Sequence, residues 1–420
     1  MIKNVLISDD IDKVCADLLK ANGVHVQVDT KLDKNQLCER IKASLITFFL
    51  LQDFDALIVR SATKVTKDVI GAGKNLKLVG RAGTGVDNID LNAATKAGIL
   101  VMNTPTGNSR SAAELTCTMI MCLARRVPQA DSSMKEGKWE RKNFMGNEVY
   151  GKTLAIVGLG RIGREVACRM KAFGMKTIGY DPIISAEESN KFGVEWLPLD
   201  RIWNQADYIT VHVPLIPETA DLINADALSK CKQGIYIINC ARGGIVNEND
   251  LLDALNSGRC AGAALDVFVD EPPKYHDLTK HKNVVCTPHI GASTVEAQNR
   301  VAQEIAEQIV AYNKGEQLMG AVNFDYRMCL SDVNGQLLAV SFIPKMKEIL
   351  EAVKNGSRIL TSLIDCNDVV NVDVVITASS QKNVEKAVEA AFHIGFLASS
   401  LKLNFISYHL LMENVTNVPK

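Results

Sequence analysis

The sequence predicts an α/β protein built from two doubly wound parallel-sheet domains, and three observations carry that expectation. Short apolar runs of strand length alternate with helix-periodic stretches through residues 1–105. A strand, a G-x-G-x-x-G turn and a helix then follow one another over residues 154–174. A further alternation of strands and helices continues to residue 291. At 420 residues the chain is too long for one ordinary core and suits two or three domains.

The strand candidates of the first domain are VLIS at 5–8, VHVQV at 24–28, ALIVR at 56–60, LKLVG at 76–80 and GILVM at 98–102, with a helix over 13–21. Strands alternating with helices argue a parallel sheet covered on both faces. ASLITFFLLQ at 43–52 is apolar without a clear period and reads either as an inserted surface segment or as a buried strand. The turn-rich NTPTGN at 103–108 marks a crossing between domains, and Ser111 with Glu114 fits a capping box for a helix over 112–125. That helix is apolar almost all round, so it is expected to be buried against a domain or a partner subunit. Further strands are expected at 154–157, 177–180, 208–213, 235–239, 263–267 and 284–286, with a helix near 248–255. Val301, Ile305 and Ile309 mark an amphipathic helix over 293–312 that is expected to return to the first domain. The tail offers helix candidates near 343–353 and 384–396, a strand VDVVIT at 372–377 and an apolar run at 403–412, without a chemical motif.

The central stretch carries a dinucleotide fingerprint. Gly158, Gly160 and Gly163 follow a strand at once, and Ile162, Val166, Met170 and Phe173 then recur at helical spacing up to Gly174. Asp181 ends the next strand, 23 residues after Gly158. Gly158 permits the turn, Gly160 lets a pyrophosphate approach the backbone, and Gly163 lets helix and strand pack closely. The helix N-terminus offers N–H groups to phosphate. Asp181 can accept hydrogen bonds from ribose hydroxyls and would repel a 2′-phosphate, which favours NAD over NADP.

Composition excludes several classes. The chain is 47% hydrophobic and 23% charged with a formal net charge of -1, so neither nucleic acid nor an anionic membrane is an expected partner. Eleven cysteines show no C-x-x-C pair, and Cys117, Cys122 and Cys168 lie in apolar helical patterns, which reads as buried reduced thiols in a cytoplasmic protein. No metal-binding pattern is found. MIKNVLISDD has no signal-peptide pattern, and the longest apolar run, at 45–51, is far below the ~20 residues of a spanning helix.

Three segments follow strands of the second domain, where open α/β sheets place their ligands. In NCARGG at 239–244, Arg242 stands between small residues and can form a bidentate pair with a carboxylate; alone, it also reads as a surface arginine in a glycine turn. In DVFVDEPP at 266–273, Glu271 can hydrogen-bond a histidine and stabilise its imidazolium, or be an exposed turn acid. In TPHIGA at 287–292, His289 suits proton exchange near neutrality, although a lone histidine is commonly structural. His25, His212, His276, His281, His393 and His409 are left as structural.

The ordered set GRAGTGVDNID, GLGRIG, YDP, NCARGG, ALDVF with EPP, and TPHIGAST resembles the D-2-hydroxyacid dehydrogenase family over most of residues 1–322. RSATKVT at 60–66, GKWERK at 137–142 and NTPTGNSRSAAELT strengthen the likeness to its branch acting on phosphorylated acids. The resemblance implies a Rossmann NAD-binding domain over 106–291 and a flavodoxin-like substrate-binding lid domain over 1–105 that resumes at 292–322. Residues 323–420 would form an α/β extension, a truncated form of a regulatory domain. It implies NAD in a cleft and a homodimer or homotetramer built largely on the nucleotide-binding domain. Arg242, Glu271 and His289 would be the catalytic residues. Thr84, Arg161, Ile162, Asp181, Val213, Cys240, Ala241, Arg242, Asp266, His289, Gly291 and Ala292 would touch the cofactor, with Gly158, Gly160 and Gly163. Backbone amides near Gly83 would hold the substrate carboxylate beside Arg242. Arg60 and Arg81 would take the phosphate, with Arg141 from a neighbouring subunit. The implied reaction is NAD-dependent oxidation of 3-phospho-D-glycerate to 3-phosphohydroxypyruvate, the first step of L-serine biosynthesis. Alternatives are a dehydrogenase for an unphosphorylated acid such as glyoxylate or hydroxypyruvate, and an NAD-binding corepressor-like protein. The chain departs from the family at 43–52, which looks inserted, and after Val322, where NFDYRMCLSDVNG replaces the usual continuation. IGFLASSLKLNFISYHLLMEN resembles the opening of a regulatory region that the chain does not complete, so serine feedback through it is not expected.

Overall fold

A computed structural model describes residues 1–42, 54–274, 276–314 and 320–323, and the backbone of three later strands, Ser357–Cys366, Val369–Ala378 and Leu410–Leu411. The segment 43–52 and the helix candidates at 343–353 and 384–396 lie outside the described residues. Contacts divide the chain into two units, Met1–Pro105 with Asn299–Lys420, and Thr106–Gln298.

In the first unit β1 (Asn4–Ile7), β2 (His25–Val28), β3 (Ala56–Val59), β4 (Leu78–Arg81) and β5 (Leu100–Met102) form a parallel sheet in the order β2-β1-β3-β4-β5. That is the flavodoxin-like order, with its switch point between β1 and β3. Alternate residues feed two cores, as a two-residue period requires. Val5, Ile7, Ile58 and Leu100 pack with Leu19, Val301, Ile305 and Ile309 on one side. Leu6, Leu57, Val79 and Val101 pack with Leu37, Val69 and Ala94 on the other. Both faces are covered, so β3 is buried at every position. Two caps went unmarked in the sequence reading: Asp33 forms a capping box with Gln36, and Asp90 Oδ1 accepts from Ala93 N at 2.9 Å. The free edge of β5 is closed by residues 320–323. Val322 N donates to Val101 O, and the Asn323 side chain accepts from Val101 N and donates to Ile99 O, each at 2.8 Å.

The second unit holds β6 (Thr153–Val157), β7 (Lys176–Tyr180), β8 (Glu195–Trp196), β9 (Tyr208–Val211), β10 (Ile235–Asn239), β11 (Cys260–Leu265) and β12 (Val284–Cys286). They are parallel in the order β12-β11-β10-β9-β6-β7-β8, a Rossmann order extended by one strand, with the switch point between β6 and β9. The helices Ser109–Arg125 and Arg161–Ala172 cover one face through Ala113, Ile120, Val166 and Met170, and the helix Glu248–Asn256 covers the other through Leu251 and Ala254.

Several expectations need correction. Ser111 and Glu114 form no capping box, because helical hydrogen bonding already begins with Ala112 N donating to Asn108 O, ahead of Ser111. Ser111 is instead buried, its hydroxyl 2.8 Å from that of Thr294. Cys168 is exposed, not buried. The strand expected over 208–213 ends at Val211, and the one expected over 263–267 runs over Cys260–Leu265. The amphipathic helix runs over Val295–Lys314. Beyond it, β13 (Ser357–Cys366) pairs antiparallel with β14 (Val369–Ala378), which contains the strand expected at 372–377, and β15 (Leu410–Leu411) lies parallel to β14. Among the described residues no helix is long and apolar enough to cross a membrane.

Candidate active site

The glycine turn leaves β6 and enters the helix at Arg161, with Gly160 in the capping position and no side chain capping the first turn. Gly158 has φ +98°, and a Cβ there would lie 2.7 Å from the His212 carbonyl oxygen. A Cβ on Gly163 would lie 2.1 Å from the Gly158 oxygen, whereas one on Gly160 would meet nothing within 4 Å. Two glycines are therefore required by close packing, and the third leaves the backbone open to a ligand. This fits a dinucleotide pyrophosphate on the helix N-terminus. Asp181 is fixed at the end of β7 because its carboxylate accepts from Leu159 N and Ile183 N at 2.8 Å and from Ile184 N at 3.2 Å. A carboxylate has lone-pair sites beyond these three, so ribose hydroxyls can still be received. Arg161 is exposed here, and Ile162 and Val213 are half-buried. Cys240 lies in the core, where burial pushes its thiol up to about 12. Burial also pushes the His212 imidazole down to about 4, and its Nε2 lies 3.0 Å from the Thr210 hydroxyl.

The neighbouring strands β10, β11 and β12 each end in a loop bearing one candidate. Asn239 closes the first: its Oδ1 accepts from Ala241 N at 3.0 Å and its Nδ2 donates to Arg242 O at 2.8 Å. Gly243 packs this turn onto the next loop, since a Cβ there would sit 1.9 Å from Phe268 O. In that loop Glu271 accepts from Phe268 N at 3.1 Å through Oε1, and its Oε2 lies 2.7 Å from His289 Nδ1. A carboxylate only accepts, so the proton of this bond belongs to Nδ1, leaving Nε2 as the basic atom of the neutral ring. Both side chains reach solvent, His289 at 46% and Glu271 at 39% exposure. Asp266, wholly buried, anchors the third loop. Its Oδ1 accepts from the Thr287 hydroxyl at 2.6 Å and from Ile290 N at 2.8 Å, its Oδ2 accepts from Gly291 N at 2.8 Å, and its carbonyl accepts from His289 N at 2.8 Å. These bonds hold His289 at φ +53°, a conformation uncommon for a non-glycine residue.

In the first unit Arg81 is the last residue of β4, and Arg60 follows β3. Gly83 has φ +153°, a backbone conformation that side-chain-bearing residues rarely adopt, and the Arg81 guanidinium lies over it, 2.4 Å from where a Cβ would stand. Burial lowers the Arg60 guanidinium from its usual value, with Asp9 and Asp10 opposing the shift. Thr84 donates its hydroxyl to Thr104 O at 3.2 Å. Arg141, in the second unit, opens an exposed 3-10 turn at Arg141–Phe144. Among the described residues no group of His, Cys, Asp and Glu is arranged to hold a metal.

Residues 117–291 match the family described as D-isomer specific 2-hydroxyacid dehydrogenase, NAD binding domain. The chain is 50% identical to D-3-phosphoglycerate dehydrogenase of Homo sapiens over 98% of its own length and 74% of that protein's. It is 40% identical to D-3-phosphoglycerate dehydrogenase of Methanocaldococcus jannaschii over 99% of its own length and 75% of that protein's. This chain belongs to the D-3-phosphoglycerate dehydrogenase family. Solved structures agree: D-lactate dehydrogenase from Aquifex aeolicus, complexed with NAD and lactic acid, superposes with a TM-score of 0.65 at 29% identity, covering 75% of this chain and 96% of that one. A glyoxylate reductase from Paecilomyes thermophila gives 0.69 at 28% identity over 76% and 98%.

In this member of the D-3-phosphoglycerate dehydrogenase family, the unit Thr106–Gln298 carries the NAD-binding fold. Sequence reasoning missed Asn239, which ties down its own turn, and Gly243 and Thr287, whose partners lie on other loops. It placed Asp266 as a cofactor contact without seeing that its carboxylate ties down the His289 loop. A buried acid or amide at the end of an apolar strand was the signal available.

Proposed function

We propose that this member of the D-3-phosphoglycerate dehydrogenase family oxidises 3-phospho-D-glycerate to 3-phosphohydroxypyruvate with NAD, the entry step of L-serine biosynthesis. The observation that carries the mechanism is the 2.7 Å bond between His289 Nδ1 and Glu271 Oε2 at the ends of strands in an NAD-binding fold. His289 Nε2 takes the hydroxyl proton, and the Glu271 carboxylate stabilises the imidazolium that forms. NAD, when bound, accepts the hydride that leaves carbon 2. Arg242 holds the substrate carboxylate with a planar pair of donors. Backbone amides near Gly83 assist it, and Arg60 and Arg81 receive the phosphate. In reduction the protonated His289 returns its proton to the substrate oxygen.

Arg141 lies in a segment where Trp139 is 75% and Met145 82% exposed. That apolar surface supports a homo-oligomer, with Arg141 reaching the site of a neighbouring subunit. Nine free thiols among the described residues support a reducing, cytoplasmic setting.

His289→Ala tests the mechanism directly. Turnover should fall by about 10²-fold or more while NADH affinity stays within a few-fold. Near-normal turnover would remove His289 from the proton-transfer role.

A further inference from the structure

Arg81 ends β4 and Arg60 follows the last residue of β3, the neighbouring strand, where Val59 and Arg81 are register partners. The Asn88 side chain joins the two segments. Its Nδ2 donates to Arg60 O at 2.6 Å and to Thr63 O at 2.7 Å, and its Oδ1 accepts from Arg81 Nε at 3.1 Å. The amide orientation is forced, since carbonyls only accept and a guanidinium only donates. Asp9 grips the same loop from its other side, accepting from Arg60 N at 2.5 Å, Thr63 N at 3.1 Å and the Thr63 hydroxyl at 2.6 Å.

We propose that Asn88 is the positioning residue of the phosphate-binding arginines, tying Arg81 to the Arg60 loop and thereby setting the preference for phosphorylated over unphosphorylated 2-oxo acids. This rests on the assignment of Arg60 and Arg81 to the substrate phosphate. The role is separable from folding. Val65 N donates to Asn88 O at 2.8 Å and Asp90 N donates to Val65 O at 2.9 Å, joining the two loops by backbone alone. Val65 and Ile89 are buried beside that seam, so removing the Asn88 side chain leaves it in place.

The test compares Asn88→Ala with the intact enzyme by NADH consumption on 3-phosphohydroxypyruvate and on hydroxypyruvate, with NADH affinity and thermal midpoint measured alongside. KM for the phosphorylated substrate should rise about tenfold with kcat within about threefold, while kcat/KM for hydroxypyruvate and NADH affinity stay within about twofold. Asn88→Asp keeps an acceptor for Arg81 but sets carboxylate oxygens against two carbonyls, and it should show the same split. An unchanged KM in both variants, or equal losses on both substrates, overturns the proposal. Arg81→Ala run in parallel separates the two readings. If it leaves KM unchanged, the phosphate assignment itself fails; if it raises KM and neither Asn88 variant does, only the positioning role fails.

Discussion

His289 is held at three levels: its ring by Glu271 at Nδ1, its backbone N–H by Asp266 O, and its loop by the bonds of the Asp266 carboxylate. Glu271→Gln preserves the shape of the dyad but removes the negative charge that stabilises the imidazolium, so kcat for oxidation should drop by about 10-fold or more with NADH affinity kept. Equal kcat would show that Glu271 only orients the ring. Arg242→Lys loses the planar fork and should raise KM for every 2-oxo acid, phosphorylated or not; unchanged kinetics would take the carboxylate role away from Arg242. His212 bears on stability. Its imidazole sits at about 4 when folded and near 6.5 when unfolded. Between those values the unfolded chain binds more protons, so stability is complete above about pH 6.5 and declines toward pH 4, by at most about 3 kcal/mol. His212→Gln should flatten the fall of the thermal midpoint between pH 7 and pH 5, and parallel slopes would refute the assignment.

At the scale of elements, glycines divide by what their missing Cβ avoids. Gly160 faces open space, so Gly160→Ala should keep the thermal midpoint and weaken NADH binding by about tenfold, because only the ligand would meet the methyl group. Gly163→Ala drives a Cβ into the Gly158 carbonyl and should cost about 1–3 kcal/mol of stability. If both variants lost stability and affinity alike, the division would be wrong. The strand, turn and helix around these glycines were legible because their signals are local: an apolar run, three glycines and a 3.6-residue period. The start of the helix Ser109–Arg125 was not, because Ser111 satisfies a capping pattern by residue type while its hydroxyl is committed to Thr294. Cys168 was misjudged for a related reason. Its helix is apolar on one stripe only, and the cysteine lies off that stripe.

For the whole molecule, the alternation of strands and helices sufficed for two parallel sheets, since each crossover needs a covering helix. Strand order was not written locally. The reversal at the β6–β9 switch point places the glycine turn and the β9 end side by side, and Gly158 against His212 is its visible result. The buried clamp Asp266 stayed hidden for the same reason, as its side-chain partners lie on the loop of another strand. Arg242, Glu271 and His289 were legible as residue types after strands, and the 2.7 Å dyad gives two of them one chemistry. The measurement that tests the account most directly is NADH consumption by the purified protein with 3-phosphohydroxypyruvate, run beside glyoxylate, hydroxypyruvate and pyruvate. The account predicts a preference of about 10²-fold or more in kcat/KM for the phosphorylated acid, the scale of one desolvated charged contact. Turnover of the unphosphorylated acids alone, or NADH binding without turnover of any, would contradict it.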